Sequence, residues 1–453
     1  MCHALQSYRR NDAEPPEYRG TTDATLDLYR LRAAQCLAIT NVTKPVKHVI
    51  ETMLVYSMME YADESDDDIG TWLLSGYVLR LALQQGYHRD PSQHPNISVF
   101  DGEMRRRIWC CVTQHELLFS VKIGLPKGIR YSECDSTPPR NVNEDELFEE
   151  MTELPPSRPE SEYTDLSYFV VKHRVMLAYG KVIEFLHVLE PQPYEEVLRL
   201  DTLLRETLES VPPHLRLYAF DETQDIVPPH RIMERCKINA FSHKAVCLLH
   251  RKYWNEVPPN STQLNNYSRE RCVGSSIALL DQQAAMHQAC RPGGILSSLK
   301  WYQFAIMNHD FLLAAVIICL DLVMIKQVQD SSLPTTPEIQ RKINAIKRSK
   351  SIWAEVVDCC RDAKRAVTIL TNAIHKLSDA VSETSLKTPA SNHSLQSTQF
   401  NPVITIKPEL ATAVLTIPND GYDTIMQELA SSEVCNNNLV SDPSLTTNFD
   451  WVS

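Results

Sequence analysis

The stretch that decides the fold begins TWLLSGYVLRLALQQGYHRDP (residues 71–91). Residues at steps of three and four define one face of an α-helix, and they are Ile69, Trp72, Gly76, Leu79, Leu83 and Gly86. Gly86 stands where a left-handed C-cap is expected, and Pro91 follows closely enough to prevent the helix from restarting. The pattern therefore predicts a helix that ends at Gly86.

A second helix is predicted after this turn, because the same 4-3-4-3 step returns in Met104, Ile108, Cys111, His115 and Leu118. It is expected to stop at Gly124 and Pro126. The two helices form a hairpin whose inner face is predicted to carry Trp72, Gly76 and Trp109, with Gly76 allowing close helix approach.

The run resembles the regulatory ("middle homology") domain of fungal-specific transcription factors. That family's pattern reads roughly W-x-x-x-G-x-x-x-R-x-A, G-x-H-R-D-P, E-x-R-R-R-x-W and G-x-P. The matching residues are Trp72, Gly76, Arg80, Ala82, Gly86, His88, Arg89, Asp90, Pro91, Glu103, Arg105, Arg106, Arg107, Trp109, Gly124 and Pro126. Glu116 and Leu125 depart from it, since the family usually has Asp and often has Arg there.

The resemblance extends less sharply from Leu26 to Leu377. It implies an all-α regulatory domain in the nucleus of a fungus, with the cytoplasm as the alternative location. It also implies partners in the transcription machinery or among coactivators. A small effector between the helices is a further implication, although no residue of the sequence identifies its site.

The charged motif residues are interpreted as structural. Arg89 and Asp90 are expected to cap or ion-pair the turn after the first helix. Glu103 and Arg107 stand at i and i+4 with the acid first, so we expect them to pair along the second helix, with Glu103 in its first turn. Arg105, Arg106 and Arg107 are expected to reach neighbouring carboxylates, with contact to nucleic acid as the alternative.

Composition and motifs argue against catalysis and against direct DNA contact. The 453 residues carry a net charge of −12, and acidic residues cluster at 60–68 and 131–165. Neither acidic loop is expected to approach phosphates. No nucleotide-binding, nucleophile-elbow or zinc-protease motif occurs, and adjacent His115 and Glu116 do not face each other on a helix. No catalytic, metal-binding or cofactor-binding residue is predicted.

The zinc cluster of the resembling family is missing from this sequence. Thirteen cysteines are present without one Cys-x-x-Cys pair, and only Cys2 and Cys36 precede residue 110. Three explanations stay open: a zinc cluster upstream of Met1, a free-standing regulatory domain that acts through partners, or a non-regulatory helical scaffold. DNA contact is expected only through the missing module or a partner.

Three segments are predicted along the chain: a flexible lead-in over residues 1–21, a helical domain of roughly a dozen helices over 22–380, and a disordered tail over 381–453. The most apolar helix, Phe311 to Ile325, has an unbroken apolar run that ends before Asp321. That run is too short to cross a bilayer, so a core helix is predicted and no membrane contact is expected.

The tail contains hydrophobic residues among acids. Ile425 and Met426 share one helical face with Tyr422 and Leu429, and the chain closes on Phe449, Asp450 and Trp451. Such segments stay disordered until they fold into a partner's groove. Residues 415–453 are hypothesised to be a weak activation segment that depends on Tyr422, Leu429, Phe449 and Trp451. The alternative is an inert solvated tail.

Overall fold

The computed structural model describes residues 1–10, 14–41, 44, 46–62, 68–218, 227–254, 262–299, 307–328, 336–357 and 361–378. Within these ranges the chain forms twelve α-helices and no strand, which confirms the all-α class. The helices are Cys2–Arg10 (α1), Thr22–Ile39 (α2), Val49–Ala62 (α3), Asp68–Gln84 (α4), Val99–Lys122 (α5), Ser167–Leu186 (α6), Tyr194–Glu209 (α7), Pro229–Arg251 (α8), Thr262–Ala289 (α9), Asn308–Val328 (α10), Pro337–Ala354 (α11) and Arg361–Ser378 (α12).

The two helices of the predicted hairpin, α4 and α5, end as the glycines indicate. Gly86 has φ +73°, and the amide of Tyr87 donates to the carbonyl of Ala82 at 2.9 Å. Gly124 has φ +71°, and the amide of Leu125 donates to the carbonyl of Ser120 at 2.9 Å. Both ends are Schellman caps, in which a left-handed glycine satisfies the last helical carbonyls.

The inner-face prediction is wrong for Gly76, and the helical face defined by the spacing does not turn to the core as a whole. Ile69 and Leu83 are exposed, and a Cβ added at Gly76 would meet only the Arg80 guanidinium, so no helix approaches closely there. The buried side consists of Thr71, Ser75, Val78, Leu79, Leu81 and Ala82. Ser75 Oγ donates to the Trp72 carbonyl within the same helix. A hydroxyl satisfied in this way can be buried without an outside partner.

The two tryptophans differ in burial. Trp109 is 5% exposed and packs in a core formed by α3, α4 and α5. Trp72 is half-buried, and its indole Nε1 donates to Ser120 Oγ of α5 at 3.2 Å. The inner-face prediction therefore holds for Trp109 and in part for Trp72.

A larger core joins α6 to α12 and includes Leu117 of α5. Its central helix, α10, is long and apolar enough to cross a membrane by composition. In the structure α10 packs on α8, α9, α11 and α12. Its buried Asp310 and Asp321 form ion pairs with Lys244 and Lys342. These contacts make it a core helix, as predicted.

The N-terminal segment differs from its prediction, and the C-terminal tail is not described by the structure. The flexible lead-in is wrong for Cys2–Arg10, which forms a helix with Leu5 fully buried. Gln6 anchors this helix by donating from Nε2 to the carbonyl of Met59 at 3.0 Å. The predicted tail, with Tyr422, Leu429, Phe449 and Trp451, lies outside the described residues.

Candidate functional site

The signature motif converges on the carboxylate of Asp90, at the turn between α4 and α5. Asp90 caps the 3-10 turn that starts at Pro91 by accepting from the amide of Ser92 at 3.0 Å. Arg106 of α5 donates to it from Nη2 at 2.8 Å and from Nε at 3.1 Å. Thr137 donates from its amide at 3.0 Å and from its hydroxyl at 2.7 Å. One carboxylate thus holds a turn, a helix and a loop together.

The pKa of Asp90 reflects this arrangement. Burial by itself raises the pKa, but hydrogen bonds from Arg106, Ser92 and Thr137 outweigh burial and hold it well below the ordinary range. The carboxylate therefore stays ionised. The predicted role of Asp90 in capping and ion pairing is confirmed.

Glu103 is the second carboxylate of this cluster, and it is fully buried. We call Asp90, Glu103 and Arg106, which lies beside both carboxylates, the hub. Its Oε1 accepts from the amide of Arg140 at 3.1 Å and from Arg107 Nε at 3.4 Å, so the predicted pair along the helix is confirmed. Arg106 Nη1 lies 3.7 Å from Oε2. Burial raises the pKa of Glu103 despite these partners. Because α5 begins at Val99, Glu103 lies in the second helical turn, and the first-turn prediction is wrong.

Arg105 contacts the C-terminal end of α4. Its Nη2 donates to the carbonyl of Gln85, the residue after the last helical residue, and its guanidinium lies 4.0 Å from the ring centroid of Tyr87. Within the described residues Arg105 therefore contacts a carbonyl and a ring, and the prediction that it reaches a carboxylate is wrong. A cation over an aromatic face is stabilising. All three arginines of the E-x-R-R-R-x-W motif are thus occupied within the chain.

The remaining motif residues divide into two groups. Arg89 pairs with Asp135 at 3.0 Å, and the carbonyl of His88 accepts from the amides of Asp135 and Ser136 at 3.1 and 3.2 Å. By contrast, Pro126 is exposed, and the hydrogen bond seen for exposed Arg80 among the described residues goes to the carbonyl of Gly76 in its own helix. No contact inside the described chain explains Gly76 or Arg80.

Glu116, which departs from the family pattern, also has a structural role. Its carboxylate accepts hydrogen bonds from Ser120 Oγ at 2.9 Å and from the amide of Gly128. Burial raises its pKa in spite of these bonds. Glu116 therefore fixes the loop that follows α5. His115 is buried beside it and contacts Ser57 at 2.9 Å, which makes it a core histidine.

A cleft of about 590 Å³ opens beside the hub. Apolar walls come from the loop before α5 and from Leu154, while Arg106, Arg140 and Glu153 supply charge of both signs. Arg140 Nη1 donates to the carbonyls of Leu154 and Pro155 at 3.3 and 2.8 Å. The cleft is a concave surface in direct contact with Arg106, so a molecule bound in it would touch the hub.

Sequence reasoning missed a buried polar network between α7, α8 and α9. His250 Nδ1 lies 2.9 Å from Ser268 Oγ, and its Nε2 lies 3.1 Å from Asp201 Oδ1. Arg271 and Tyr267 also donate to Asp201. These bonds outweigh burial, which raises the pKa, and hold the pKa of Asp201 well below its ordinary range. The only sequence signal was polar residues at core positions of apolar helices.

This network has the residue types of a hydrolase triad, but not its accessibility. Ser268 and His250 are fully buried, and Asp201 is 1% exposed. A nucleophile needs a substrate-accessible position beside its base. We therefore interpret the network as a set of polar contacts that hold α7, α8 and α9 together. No group of three or more His, Cys, Asp or Glu side chains in the described residues could hold a metal, so these residues do not fit the family's zinc ions.

The fold and the hub together define an all-α domain in which the residues of the family pattern stabilise the hairpin of α4 and α5. Residues 22–195 match the family described as fungal specific transcription factor domain, and this region of the chain belongs to that family. The match confirms the resemblance seen in the sequence.

Curated relatives extend the likeness beyond the family match. The Zn(2)-C6 fungal-type transcription factor mpsB of Macrophomina phaseolina is 33% identical over 404 residues, covering 86% of this chain and 54% of that protein. The Zn(2)-C6 fungal-type transcription factor pigI of Monascus ruber is 33% identical, covering 82% and 45%. The equisetin cluster transcription factor eqxF of Fusarium heterosporum is 31% identical, covering 76% and 49%.

The chain therefore spans about half the length of the curated relatives it matches. No solved structure matches it significantly. The comparisons link this helical domain to transcription regulators, and they do so over most of the chain.

Proposed function

We propose that this chain is the regulatory part of a fungal transcription regulator, acting in the nucleus. The observation that carries the proposal is the family match over residues 22–195, continued by 33% identity to a zinc-cluster transcription factor over 86% of the chain. We further propose that it is not an enzyme, since its one Ser–His–Asp arrangement in the described residues is sealed from solvent.

DNA contact is assigned to another module or to a partner. Proteins that grip phosphates use exposed cations on a basic face. Here Arg105, Arg106 and Arg107 are half-buried and occupied by Gln85, Asp90 and Glu103. The net charge of −12 adds to this argument. The purified chain should show no sequence-specific, salt-sensitive binding to duplex DNA in a mobility-shift titration. Nanomolar specific binding at physiological salt would overturn this assignment.

The regulatory role is tested by gene disruption followed by transcript profiling. Several matched relatives are named for one biosynthetic cluster each, including equisetin and pyrrolocin. We therefore expect disruption to lower transcripts from one set of neighbouring genes, and the wild-type gene to restore them. Unchanged transcripts in a strain that normally produces the protein would contradict the proposal.

A helical cofactor that acts without a DNA-binding module of its own is the second candidate. The observation that favours it is the lack of a metal-holding group within the described residues. Chromatin immunoprecipitation distinguishes the two candidates when it is repeated after depletion of the other zinc-cluster proteins of the cell. A cofactor loses its chromatin signal when its DNA-binding partner is removed, whereas a regulator with its own module keeps it.

The tail is proposed as the segment that recruits coactivator. Acids at 420, 423 and 428 accompany the hydrophobic face of Tyr422 and Leu429 in the sequence. Residues 415–453 fused to a foreign DNA-binding domain should raise reporter output. Replacing Tyr422, Leu429, Phe449 and Trp451 by Ala should remove the gain, and a fusion without activity would return the segment to an inert tail.

The small effector stays a prediction. The cleft beside Arg106 is the described cavity in which such a molecule would contact the hub.

A further inference from the structure

Two buried cysteines face each other where α8 packs on α9. Cys247 of α8 and Cys272 of α9 are both fully buried, and both are free. The Cys247 thiol lies 3.8 Å from the carbonyl oxygen of Cys272, and the Cys272 thiol lies 3.7 Å from the carbonyl oxygen of Cys247. This reciprocal contact places two residues that are 25 positions apart in the chain directly beside each other.

The surroundings of the two thiols are not purely apolar. Ser276, one turn after Cys272 on α9, has its Oγ 3.4 Å from the sulfur of Cys247, and it donates to the carbonyl of Cys272 at 2.9 Å. Arg251 follows Cys247 one turn later on α8, and its positive charge acts on both cysteines. A cysteine that serves only as a small hydrophobic side chain needs none of these polar neighbours.

The two thiols are electrostatically unequal. The hydrogen bond from the Cys272 thiol outweighs burial and lowers the pKa of Cys247, with a further contribution from Ser276. The same hydrogen bond, together with burial, raises the pKa of Cys272 well above its usual value. By comparison, burial alone raises the pKa of Cys319 to about 12. Cys247 is therefore the sulfur that better carries a negative charge, and Cys272 is the one that keeps its proton.

We propose that Cys247 and Cys272 are a peroxide-sensitive dithiol, which oxidation converts into a disulfide between α8 and α9. The Cys247 thiolate attacks one oxygen of a hydroperoxide. An S–O bond forms, the O–O bond breaks, and the other oxygen leaves as an alcohol or as water with the proton that Cys247 released. The Cys272 sulfur then attacks the sulfenic acid. The S–S bond forms, the S–O bond breaks, and water leaves with the Cys272 proton, so two electrons pass from the sulfurs to the peroxide.

Burial makes this reaction conditional. A thiolate reacts only where the oxidant reaches it, and neither thiol is exposed while α8 and α9 are packed. Local opening is the event that brings such buried groups into contact with solvent. The dithiol therefore stays reduced in the closed fold and is oxidised at a rate set by opening of the α8–α9 contact. The disulfide then holds the two helices together until a thiol reductant cleaves it.

The geometry selects this pair over the other neighbouring cysteines of the described residues. A disulfide requires two β-carbons that lie close together and point towards each other. Cys247 and Cys272 lie on facing sides of two packed helices. The adjacent residues Cys110 and Cys111 instead point about 100° apart around α5. Oxidation should consequently link Cys247 to Cys272 and leave that adjacent pair unlinked.

Disulfide mapping of the full chain tests the proposal. The chain is treated with a small excess of hydrogen peroxide, its remaining thiols are alkylated, and it is digested with trypsin without reduction. Residues 245–251 and 272–300 should be recovered as one linked species that dithiothreitol separates. Cys290 lies on the second peptide, so fragmentation must assign the bond to Cys272. Urea below the unfolding midpoint should speed formation of the linked species, because opening limits the rate.

Single substitutions separate the roles of the two sulfurs. In Cys272→Ala the Cys247 sulfenic acid is not resolved, so dimedone should label Cys247. In Cys247→Ala both the link and a dimedone label on Cys272 should be absent. Cys319→Ala is the matched control, because Cys319 is also buried and its pKa is raised by burial alone. It should form the link as the wild type does.

Two results would overturn the proposal. If peroxide oxidised the folded chain without linking Cys247 to Cys272, or linked its cysteines at random, the two residues would be small core side chains and no more. If dimedone labelled Cys272 in Cys247→Ala as strongly as it labels Cys247 in Cys272→Ala, the assignment of Cys247 as the attacking sulfur would be wrong. Circular dichroism of each variant before treatment shows that the comparison is made on folded protein.

Discussion

Replacing Asp90 by Asn tests whether the residues of the family pattern stabilise the fold through this carboxylate. Asn keeps the shape of the side chain but removes its charge and turns one oxygen into an NH2 group. Both carboxylate oxygens of Asp90 accept hydrogen bonds, from Arg106, Ser92 and Thr137. Whichever way the amide turns, its NH2 group therefore faces at least two donors.

The cost follows from these contacts. A hydrogen bond to a charged group contributes about 1.5–3 kcal/mol, and removing one partner of a buried ion pair costs about 3–5 kcal/mol. The Arg106 side chain is 13% exposed and keeps Glu103 at 3.7 Å. Because this contact remains, the cost should lie at the lower end of the 3–5 kcal/mol range, and we expect the free energy of unfolding to fall by about 3 kcal/mol. Typical domains have only about 5–15 kcal/mol of stability.

Urea unfolding followed by far-ultraviolet circular dichroism measures this loss. Asp101→Asn is the matched control, since exposed Asp101 accepts one side-chain hydrogen bond among the described residues, from Ser98. It should change the free energy of unfolding by less than about 0.5 kcal/mol, as surface substitutions usually do. If Asp90→Asn lowered the free energy of unfolding by no more than Asp101→Asn does, the stabilising role of Asp90 would be refuted.

The dependence on pH gives an independent check. The pKa of Asp90 is held low in the folded chain, so its stabilisation is present above the ordinary Asp pKa of about 3.9 and is lost as the pH falls below it. The stability difference between wild type and Asp90→Asn should therefore shrink as the pH falls from about 5 towards 2. A constant difference would show that charge plays no part.

Three further outcomes are expected. Burial, with a contribution from Lys172, lowers the pKa of His115 to about 3, so the unfolded chain takes up a proton that the folded chain refuses. Stability should fall by about 2 kcal/mol between pH 7 and pH 5 through this residue, a slope that His115→Gln removes in urea titrations. Gly86→Ala should cost about 1–2 kcal/mol at its positive φ, whereas Gly76→Ala should be neutral or stabilising by up to about 1 kcal/mol; calorimetry of dilute protein compares them. Trp109→Ala should cost about 3–5 kcal/mol in urea unfolding, and a cost below 1 kcal/mol would contradict its place in the core.

The features predicted correctly from sequence are those that depend on residues a few positions apart in the chain. Gly86 and Gly124 end their helices because a left-handed residue followed by a proline is readable over a few positions. The pair of Glu103 and Arg107 follows from i, i+4 geometry within one helix.

The features that were missed depend on tertiary contacts. Large apolar residues occur on both sides of α4, so periodicity identified a helix but could not say which side faces the core. The bonds of His250 join residues 49 and 18 positions away. No local pattern encodes such pairings. The buried position of α1 depends in the same way on its contact with Met59 of α3.

The hub and the C-terminal end of α4 are physically linked. Asp90 and Arg106 fix the turn that leaves α4, and Arg105 donates to the carbonyl of Gln85, the residue after that helix. These contacts set how α4 lies on α5, so weakening the hub should lower the stability of the hairpin. If Asp90→Asn kept the stability of the wild type, the hub would not hold the turn.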